Sequence, residues 1–345
     1  MKAVVFYTFG GPEVLRYTDA PAPTPLPGEA LVRVRACGVN HLDLDIRSGV
    51  SRLPIALPHI LGRDVAGDVV ELSGADAPPV GTRVAAPLQL SCMRTSCRFC
   101  STGRDNLCPL RRHPGVVGPG GYRELATFPA HALVPIPPGL SYADVIAGML
   151  SYSTAWHVLI VLLDVKPGET VLVTGAAGAI GVAMIKMARL AGARVLAGIG
   201  SARRRDALVA LGVAPEAIVD YGTQDLAVEV RRLTEGRGAD AVVEIAGGAI
   251  FSAALGALAP DGRLCVTGAH AGEIVPLDLI DVFRRQLRIH GSSAYTAADI
   301  RKSIELMGSG QLTAPPYEVL PLAAAAEAHR RIAARENIGK VVLLP

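Results

Sequence analysis

Little in this chain points toward a polyanion. Its 34 Lys and Arg residues are almost cancelled by 31 Asp and Glu, leaving +3 at neutral pH. No basic run stands out except Arg203-Arg204-Arg205, so neither nucleic acid nor an anionic membrane surface is expected as a partner. Aromatic residues are also scarce, at 4% against 50% hydrophobic, so Ala, Val, Leu and Ile must fill the interior. Charge is missing altogether from Val145 to Leu163, a stretch long enough to cross a bilayer. Ser151, Tyr152, Ser153, Thr154 and His157 interrupt it and Gly148 falls within it, so a buried helix of a soluble protein is the better expectation. A secretion signal is missing too: Met1 to Thr8 runs straight into a strand pattern, and Cys37 and Cys265 stand alone. A reducing, cytoplasmic setting is therefore expected.

What is present is concentrated. Four of the six cysteines, Cys92, Cys97, Cys100 and Cys108, form one cluster around Cys97-x-x-Cys100. Zn²⁺ binds four thiolates tetrahedrally, and a C-x-x-C turn sets two sulfurs on one side of an ion with little strain. The alternative is a set of free or redox-active thiols. Four cysteines leave no open coordination position, so this metal would stabilise a lobe and perform no chemistry.

At 345 residues the chain is long enough for two domains. The first 140 or so residues are rich in Pro and Gly and carry short strand patterns, at Ala30 to Ala36, Val65 to Leu72 and Arg83 to Ala86. From Lys166 the texture becomes α/β. Val171 to Val173, Arg194 to Ala197, Ala241 to Ile245 and Arg263 to Thr267 read as strands separated by helix-length segments, which predicts βαβ units around a parallel sheet. After about Ser293 the texture is mixed again, with a helix expected over Leu322 to Ala334 and a strand over Lys340 to Leu344. The domains are placed at 1–152 with 294–345, and at 153–293, with a metal lobe over 91–109.

The strand at Val171 to Thr174 runs into Gly175-Ala176-Ala177-Gly178-Ala179-Ile180-Gly181, followed by a helix pattern from Val182 to Leu190. Glycines in that context let backbone N–H groups and the helix N-terminus approach a pyrophosphate. Gly175, Ala177, Gly178, Ala179, Ile180 and Gly181 are thus candidate cofactor contacts, against a glycine-rich turn with no ligand. The end of the next strand usually carries an acid for the 2′-hydroxyl of NAD, and Ala197 to Arg205 holds none. Gly200, Ser201, Arg203 and Arg204 suit a 2′-phosphate instead, so NADPH is expected. The alternative for the arginines is a solvated helix face.

These residues resemble the medium-chain dehydrogenase/reductase superfamily along essentially the whole chain. The resemblance is carried by Lys2-Ala3-Val4-Val5, Gly10-Gly11-Pro12-Glu13-Val14-Leu15, Gly28-Glu29, Gly38-Val39-Asn40-His41-Leu42-Asp43 with Arg47-Ser48-Gly49, Leu61-Gly62-Arg63-Asp64-Val65-Ala66-Gly67 and Gly339-Lys340-Val341-Val342, in order. It implies an α/β fold: a GroES-like β-rich catalytic domain built from both chain ends and a Rossmann domain between them, often dimerised through the Rossmann sheets. It further implies that Cys92 to Cys108 is a structural-zinc lobe, although the gap between Cys92 and Cys97 is longer than usual, and that Asn40, Thr154, Tyr221, Gly268 and Lys340 adjoin the cofactor.

The catalytic zinc of the alcohol dehydrogenases would need a Cys, a His and a Cys where this chain carries Asn40, Arg63 and Leu150, and the proton-relaying hydroxyl falls at Leu42. An amide, a guanidinium and an isobutyl group form no zinc shell. What remains resembles the quinone oxidoreductase branch, which implies metal-free hydride transfer from NADPH to a quinone or α,β-unsaturated carbonyl. Asn40 is then expected to position the nicotinamide and substrate oxygen, or else to be a turn-stabilising amide. Arg63 either binds an oxyanion or carboxylate, or pairs with Asp43, Asp45 or Asp64. His41, His59 and Tyr152 are candidate proton donors, with water as the alternative. The competing functions are a genuine alcohol dehydrogenase that recruits metal through His41, His59 or Asp64, and a non-catalytic NADPH-binding protein. Pocket walls are expected from Arg47 to Pro58, Arg111 to Gly121 and Ser292 to Thr296.

Overall fold

A computed structural model describes all residues except Arg52, 75–77 and His270. The chain divides into two compact units, Met1–Leu150 with Thr296–Pro345, and Ser151–Tyr295. Both boundaries lie two residues from the positions expected from the sequence.

The first unit opens with β1 (Lys2–Val5), β2 (Arg16–Asp19) and the long β3 (Glu29–Val39), then α1 (His41–Ser48), β4 (Asp64–Leu72), β5 (Arg83–Ala86), β6 (Leu125–Pro129) and β7 (Val134–Pro135). In β3, Arg33 and Arg35 face solvent while Val32, Val34 and Ala36 are buried, the alternation of a strand with one wet face. The charge-free stretch forms α2 (Tyr142–Trp156), which continues as a wider helical turn to Leu162. This helix is long and apolar enough to cross a membrane by length and composition, but 72% of its apolar window is buried inside the fold. It is a core helix.

The second unit contains β8 (Thr170–Val173), α3 (Ala179–Leu190), β9 (Arg194–Ile199), α4 (Arg205–Ala210), β10 (Ile218–Asp220), α5 (Leu226–Leu233), β11 (Ala239–Glu244), α6 (Ala249–Gly256), β12 (Leu258–Val266), α7 (Leu279–Arg284) and β13 (Arg288–Gly291). Six strands, all parallel, lie in the order β10-β9-β8-β11-β12-β13. That order, with β8 at the switch point, is the Rossmann arrangement, and it places the loop after β8 at the ligand-binding crevice. Asp225 caps α5 by accepting the Val228 N–H, and Asp278 caps α7 through the Ile280 and Asp281 N–H groups.

The chain then returns to the first unit. Thr296 and Asp299 exchange side-chain and backbone hydrogen bonds at the start of α8 (Ala297–Gly308). There follow β14 (Tyr317–Pro321), α9 (Ala325–Ala333), entered through a tight turn at Leu322–Ala324, and β15 (Lys340–Leu344). Among the described residues the larger sheet of this unit runs β14-β15-β3-β4-β5-β7, with β6 also paired to β3. β15 lies antiparallel to β3, Val341 opposite Val39, so the last strand is delivered beside the end of β3. The expected α/β class, GroES-like unit plus Rossmann unit, is borne out.

Candidate active site

Asn40 stands between β3 and α1 as the residue before the helix, with extended backbone. Asn40 and Asp43 form a capping box there, and the Asn40 amide also meets two charged groups. Oδ1 accepts from Lys340 Nζ at 2.6 Å, and Nδ2 donates to Asp64 Oδ1 at 2.9 Å. Lys340 Nζ also donates to Asp64 Oδ2 at 2.7 Å. Asp43 supplies its half of the capping box by accepting the Asn40 backbone N–H at 2.8 Å. Lys340 and Asp64 are buried and Asn40 is half-buried. A Cβ at Gly38 would come within 2.6 Å of Lys340 Cε and 2.7 Å of Asp64 Oδ2, so glycine there makes room for the ion pair.

A second buried chain of polar groups lies beyond Asp43. Arg47 Nη1 is 3.4 Å from His329 Nδ1, His329 Nε2 is 3.2 Å from the Tyr122 hydroxyl, and that hydroxyl is 3.4 Å from Asp43 Oδ2. Arginine only donates, so His329 accepts at Nδ1 and donates from Nε2, and Tyr122 donates to Asp43. Burial, with Arg47 beside it, pushes His329 down to about 3, so the ring is neutral. Burial pushes Asp43 up to about 6, and its Oδ1 is buried without a partner.

Arg63 forms no ion pair with Asp43, Asp45 or Asp64. Among the described residues its polar neighbour is His113, whose Nδ1 is 3.3 Å from Nη2. That nitrogen is also 3.3 Å from the Leu88 carbonyl, and it cannot both accept from the arginine and donate to the carbonyl. Burial and then Arg63 push His113 down to about 4. Arg63 Nε is buried without a partner. Arg63 is thus a cation facing a neutral imidazole.

The other proposed proton carriers differ in setting. His41 is exposed at the start of α1. His59 is buried, its Nε2 3.0 Å from the Gly115 carbonyl, and burial lowers its pKa; it is a neutral structural donor. Tyr152 is fully buried, and burial raises its phenol pKa, so it holds its proton firmly. Beside the segment from His59 to Arg63, a cavity of about 490 Å³ is lined by Tyr7, Pro54, Pro58, His59, Val116 and Val117, among others. It draws on two of the three loops expected to form pocket walls; Arg52 of the first loop lies outside the described residues.

The four cysteines meet in the loop between β5 and β6. All four sulfurs lie within 4.8 Å of one another, and Cys92 Sγ is 3.7 Å from Cys100 Sγ. Sulfurs around a tetrahedral zinc with bonds of 2.3 Å lie about 3.8 Å apart. Within the longer gap after Cys92, Met93 takes a left-handed backbone conformation. Backbone N–H groups of Cys100 and Phe99 lower the Cys97 thiol to about 7, while burial and the neighbouring thiols raise Cys100 to about 12. The donor set fits a closed tetrathiolate centre. Among the described residues it is the one group of three or more His, Cys, Asp or Glu whose ligand atoms converge.

In the second unit, Gly175 takes φ +59°, and a Cβ at Gly181 would come within 2.4 Å of the Gly175 carbonyl. These glycines let α3 start hard against the end of β8, with the Gly178 N–H donating to the Gly175 carbonyl at 3.1 Å and the N–H groups of Ala179 to Gly181 forming the helix's first turn at the crevice. A fully buried Glu244 ties the neighbouring loop, accepting from Thr174 Oγ1 at 3.1 Å and from the Ala246 and Gly247 N–H groups at 2.8 and 2.9 Å. Gly268 runs equally close, since a Cβ would meet the Ile245 carbonyl at 2.4 Å. Thr154 is buried on α2.

After β9, Gly200 faces Tyr221: a Cβ there would lie 2.9 Å from the ring. Ser201 and Arg203 are exposed and Arg204 is half-buried. Arg205 is not available, because it donates to the Pro215 carbonyl at 2.6 Å and the Ile218 carbonyl at 3.4 Å. Within the arginine run Arg205 is thus a structural brace, while Arg203 is exposed.

The family description Alcohol dehydrogenase GroES-like domain matches residues 26–138, and Zinc-binding dehydrogenase matches residues 179–309. A solved NAD-dependent alcohol dehydrogenase is 40% identical with a TM-score of 0.92, each chain covering 100% of the other. The chain belongs to the medium-chain dehydrogenase/reductase superfamily. A quinone oxidoreductase from Pseudomonas aeruginosa and a 2-haloacrylate reductase from Burkholderia sp are each 29% identical, covering 100% of this chain and 99% of theirs. The quinone oxidoreductase relatives bear out the branch read from the sequence, and the protein is an oxidoreductase of this superfamily.

Sequence reasoning missed three things: the pairing of Lys340 with Asn40 and Asp64, the Arg63–His113 contact, and Glu244. Lys340, expected beside the cofactor, has its ammonium committed inside the first unit. The one available signal was Gly38, a glycine within a strand pattern, which marks a close approach.

Proposed function

We propose that this superfamily member is an NADPH-dependent reductase of quinones or α,β-unsaturated carbonyl compounds that uses no catalytic metal. The carrying observation is the Asn40–Asp64–Lys340 cluster: where zinc alcohol dehydrogenases begin a metal shell, this chain has an amide with an ammonium 2.6 Å from its oxygen. A dication at that oxygen would face a buried cation, and Arg63 and Leu150 supply no ligand in its place. When bound, NADPH supplies a hydride to the substrate's electron-poor carbon, the electron pair moving onto the carbonyl oxygen and a proton from water completing the reduction.

The α3 N-terminus and Gly175 to Gly181 would hold the pyrophosphate, and Ser201, Arg203 and Arg204 the 2′-phosphate. The absence of an acid before Asp206 and the exposure of Arg203 support NADPH, even though the 40% identical structure is named for NAD. The four cysteines would hold one structural zinc, which stabilises its loop and takes no part in the reaction. Ile289 of the edge strand β13 is exposed, as are Ile274, Leu279, Ile280 and Phe283 in the segment of chain leading into it, which supports a homodimer formed through this sheet. The test of the main reading is NADPH oxidation with a panel of quinones and enones in chelator-treated buffer; uniform inactivity would overturn it.

A second reading concerns substrate charge. Arg63 has no acidic partner among the described residues and its Nε is buried without one, which favours a substrate carboxylate such as an unsaturated acid. The name of the Burkholderia relative is consistent with that class. An enone and its carboxylated counterpart, compared in wild type and Arg63→Gln, decide it: loss confined to the acid supports the reading.

A further inference from the structure

Two buried charges dictate which way the Asn40 amide points. An ammonium offers only donors and an ionised carboxylate only acceptors. Lys340 Nζ lies 2.6 Å from one end of the amide and Asp64 Oδ1 2.9 Å from the other. The end facing Lys340 must therefore be the oxygen, and the end facing Asp64 the NH₂ group. Rotating the amide by half a turn would set NH₂ against ammonium and oxygen against carboxylate, exchanging two charge-assisted hydrogen bonds for two repulsions. The clamp is itself rigid, since Lys340 also donates to Asp64 at 2.7 Å, and the lysine is 3% exposed and the aspartate 0%. Nδ2 carries two hydrogens. One goes to Asp64; the other has no hydrogen-bond partner among the described residues. Asn40 is half-buried while its partners are closed off, so of the three side chains its amide is the one a ligand can approach.

We propose that Lys340 and Asp64 clamp the Asn40 amide as a donor-only group, so that Asn40 receives the substrate oxygen on which negative charge gathers. Lys340 and Asp64 are positioning residues, and Asn40 is the catalytic one. The paired charges of Asp64 and Lys340 cancel locally, so the cluster presents an oriented dipole to the oxyanion with no net charge. Such a donor is worth most when it is fixed before the reaction begins, because no reorganisation is then needed as charge develops. The clamp also explains the long sequence separation of its parts: it forms only when β15 pairs with β3 and brings Lys340 beside Asn40.

The role in reduction rests on the reductase reading, but the donor character does not, so the experiment has two arms. In the first, 4-nitrophenol is titrated against the NADP⁺ complex. The wild type is expected to bind the phenolate in preference to the phenol, Asn40→Ala and Lys340→Met to lose about tenfold or more of that preference, and Lys340→Arg to keep most of it. In the second, enone reduction is expected to lose about 10²-fold in kcat in Asn40→Ala and Lys340→Met with NADPH affinity unchanged, the size of effect of removing one oxyanion donor, while Lys340→Arg keeps most of its kcat. Equal phenolate preference in wild type and Asn40→Ala overturns the clamp even if enones are reduced. So does a loss that is traced wholly to weaker NADPH binding. A wild type that selects phenolate through Asn40 but reduces no quinone or enone keeps the clamp and overturns the reductase reading.

Discussion

Replacing Lys340 by Met should cost the first unit far more stability than the loss of a surface lysine. The ammonium is buried and makes two charge-assisted hydrogen bonds, to Asn40 and Asp64. Methionine fills a similar volume, so little of the effect comes from a cavity. What remains is a fully buried carboxylate with no counter-charge and an amide oxygen with no donor. Breaking a buried pair by removing one partner costs about 3–5 kcal/mol. Asp64→Asn leaves the opposite charge stranded and should cost a similar amount. The double variant Lys340→Met/Asp64→Leu removes both charges together with their desolvation and should fall within about 2 kcal/mol of wild type. The cycle is read by urea unfolding of the ligand-free protein and by hydrogen exchange of the peptide spanning 338–345, which reports the pairing of β15 with β3 and β14 in this unit. A Lys340→Met variant that loses less than about 1 kcal/mol, the scale of an exposed ion pair, would refute the reasoning. So would a double variant as unstable as the sum of the two singles.

Metal analysis should find one zinc per chain, its removal by chelator lowering Tm; two per chain would show that a catalytic ion is recruited. Arg203→Ala/Arg204→Ala should raise the NADPH Kd about tenfold or more and leave NADH binding unchanged, consistent with loss of about 1.4 kcal/mol or more of phosphate contact. Asp43 titrates near 6 in the fold against about 3.9 when unfolded, a rise caused by burial. The folded state therefore holds its proton more tightly, so the contribution is favourable below about pH 4 and is lost as pH rises through 6, by at most about 3 kcal/mol. Asp43→Asn should remove that component of the pH slope in unfolding experiments; an unchanged slope would assign it elsewhere.

Local features were readable because they depend on neighbours in the chain. The alternation in β3, the strand of Arg83 to Ala86, the glycine loop opening α3 and the close spacing of Cys92 to Cys108 each follow from backbone preference or side-chain chemistry over a few residues. The fate of the charged residues was not readable in this way. Arg203, Arg204 and Arg205 look alike in sequence, yet Arg205 is taken by the carbonyls of Pro215 and Ile218. Arg63 is next to Asp64 in the chain yet does not pair with it, because Asp64 is taken by Lys340, and Asp43 is likewise taken by Asn40 and Tyr122. Which cation meets which anion depends on competition among partners brought together by folding.

The sequence alone determined that this chain has a β-rich unit and a Rossmann unit, a four-thiol cluster, and Asn40, Arg63 and Leu150 where the resemblance would place zinc ligands, since residue types and short spacings carry that information. Only the tertiary structure decided what Asn40 can do. Lys340 is 300 positions away from it, and no local pattern specifies a contact that exists only once the last strand has paired beside β3.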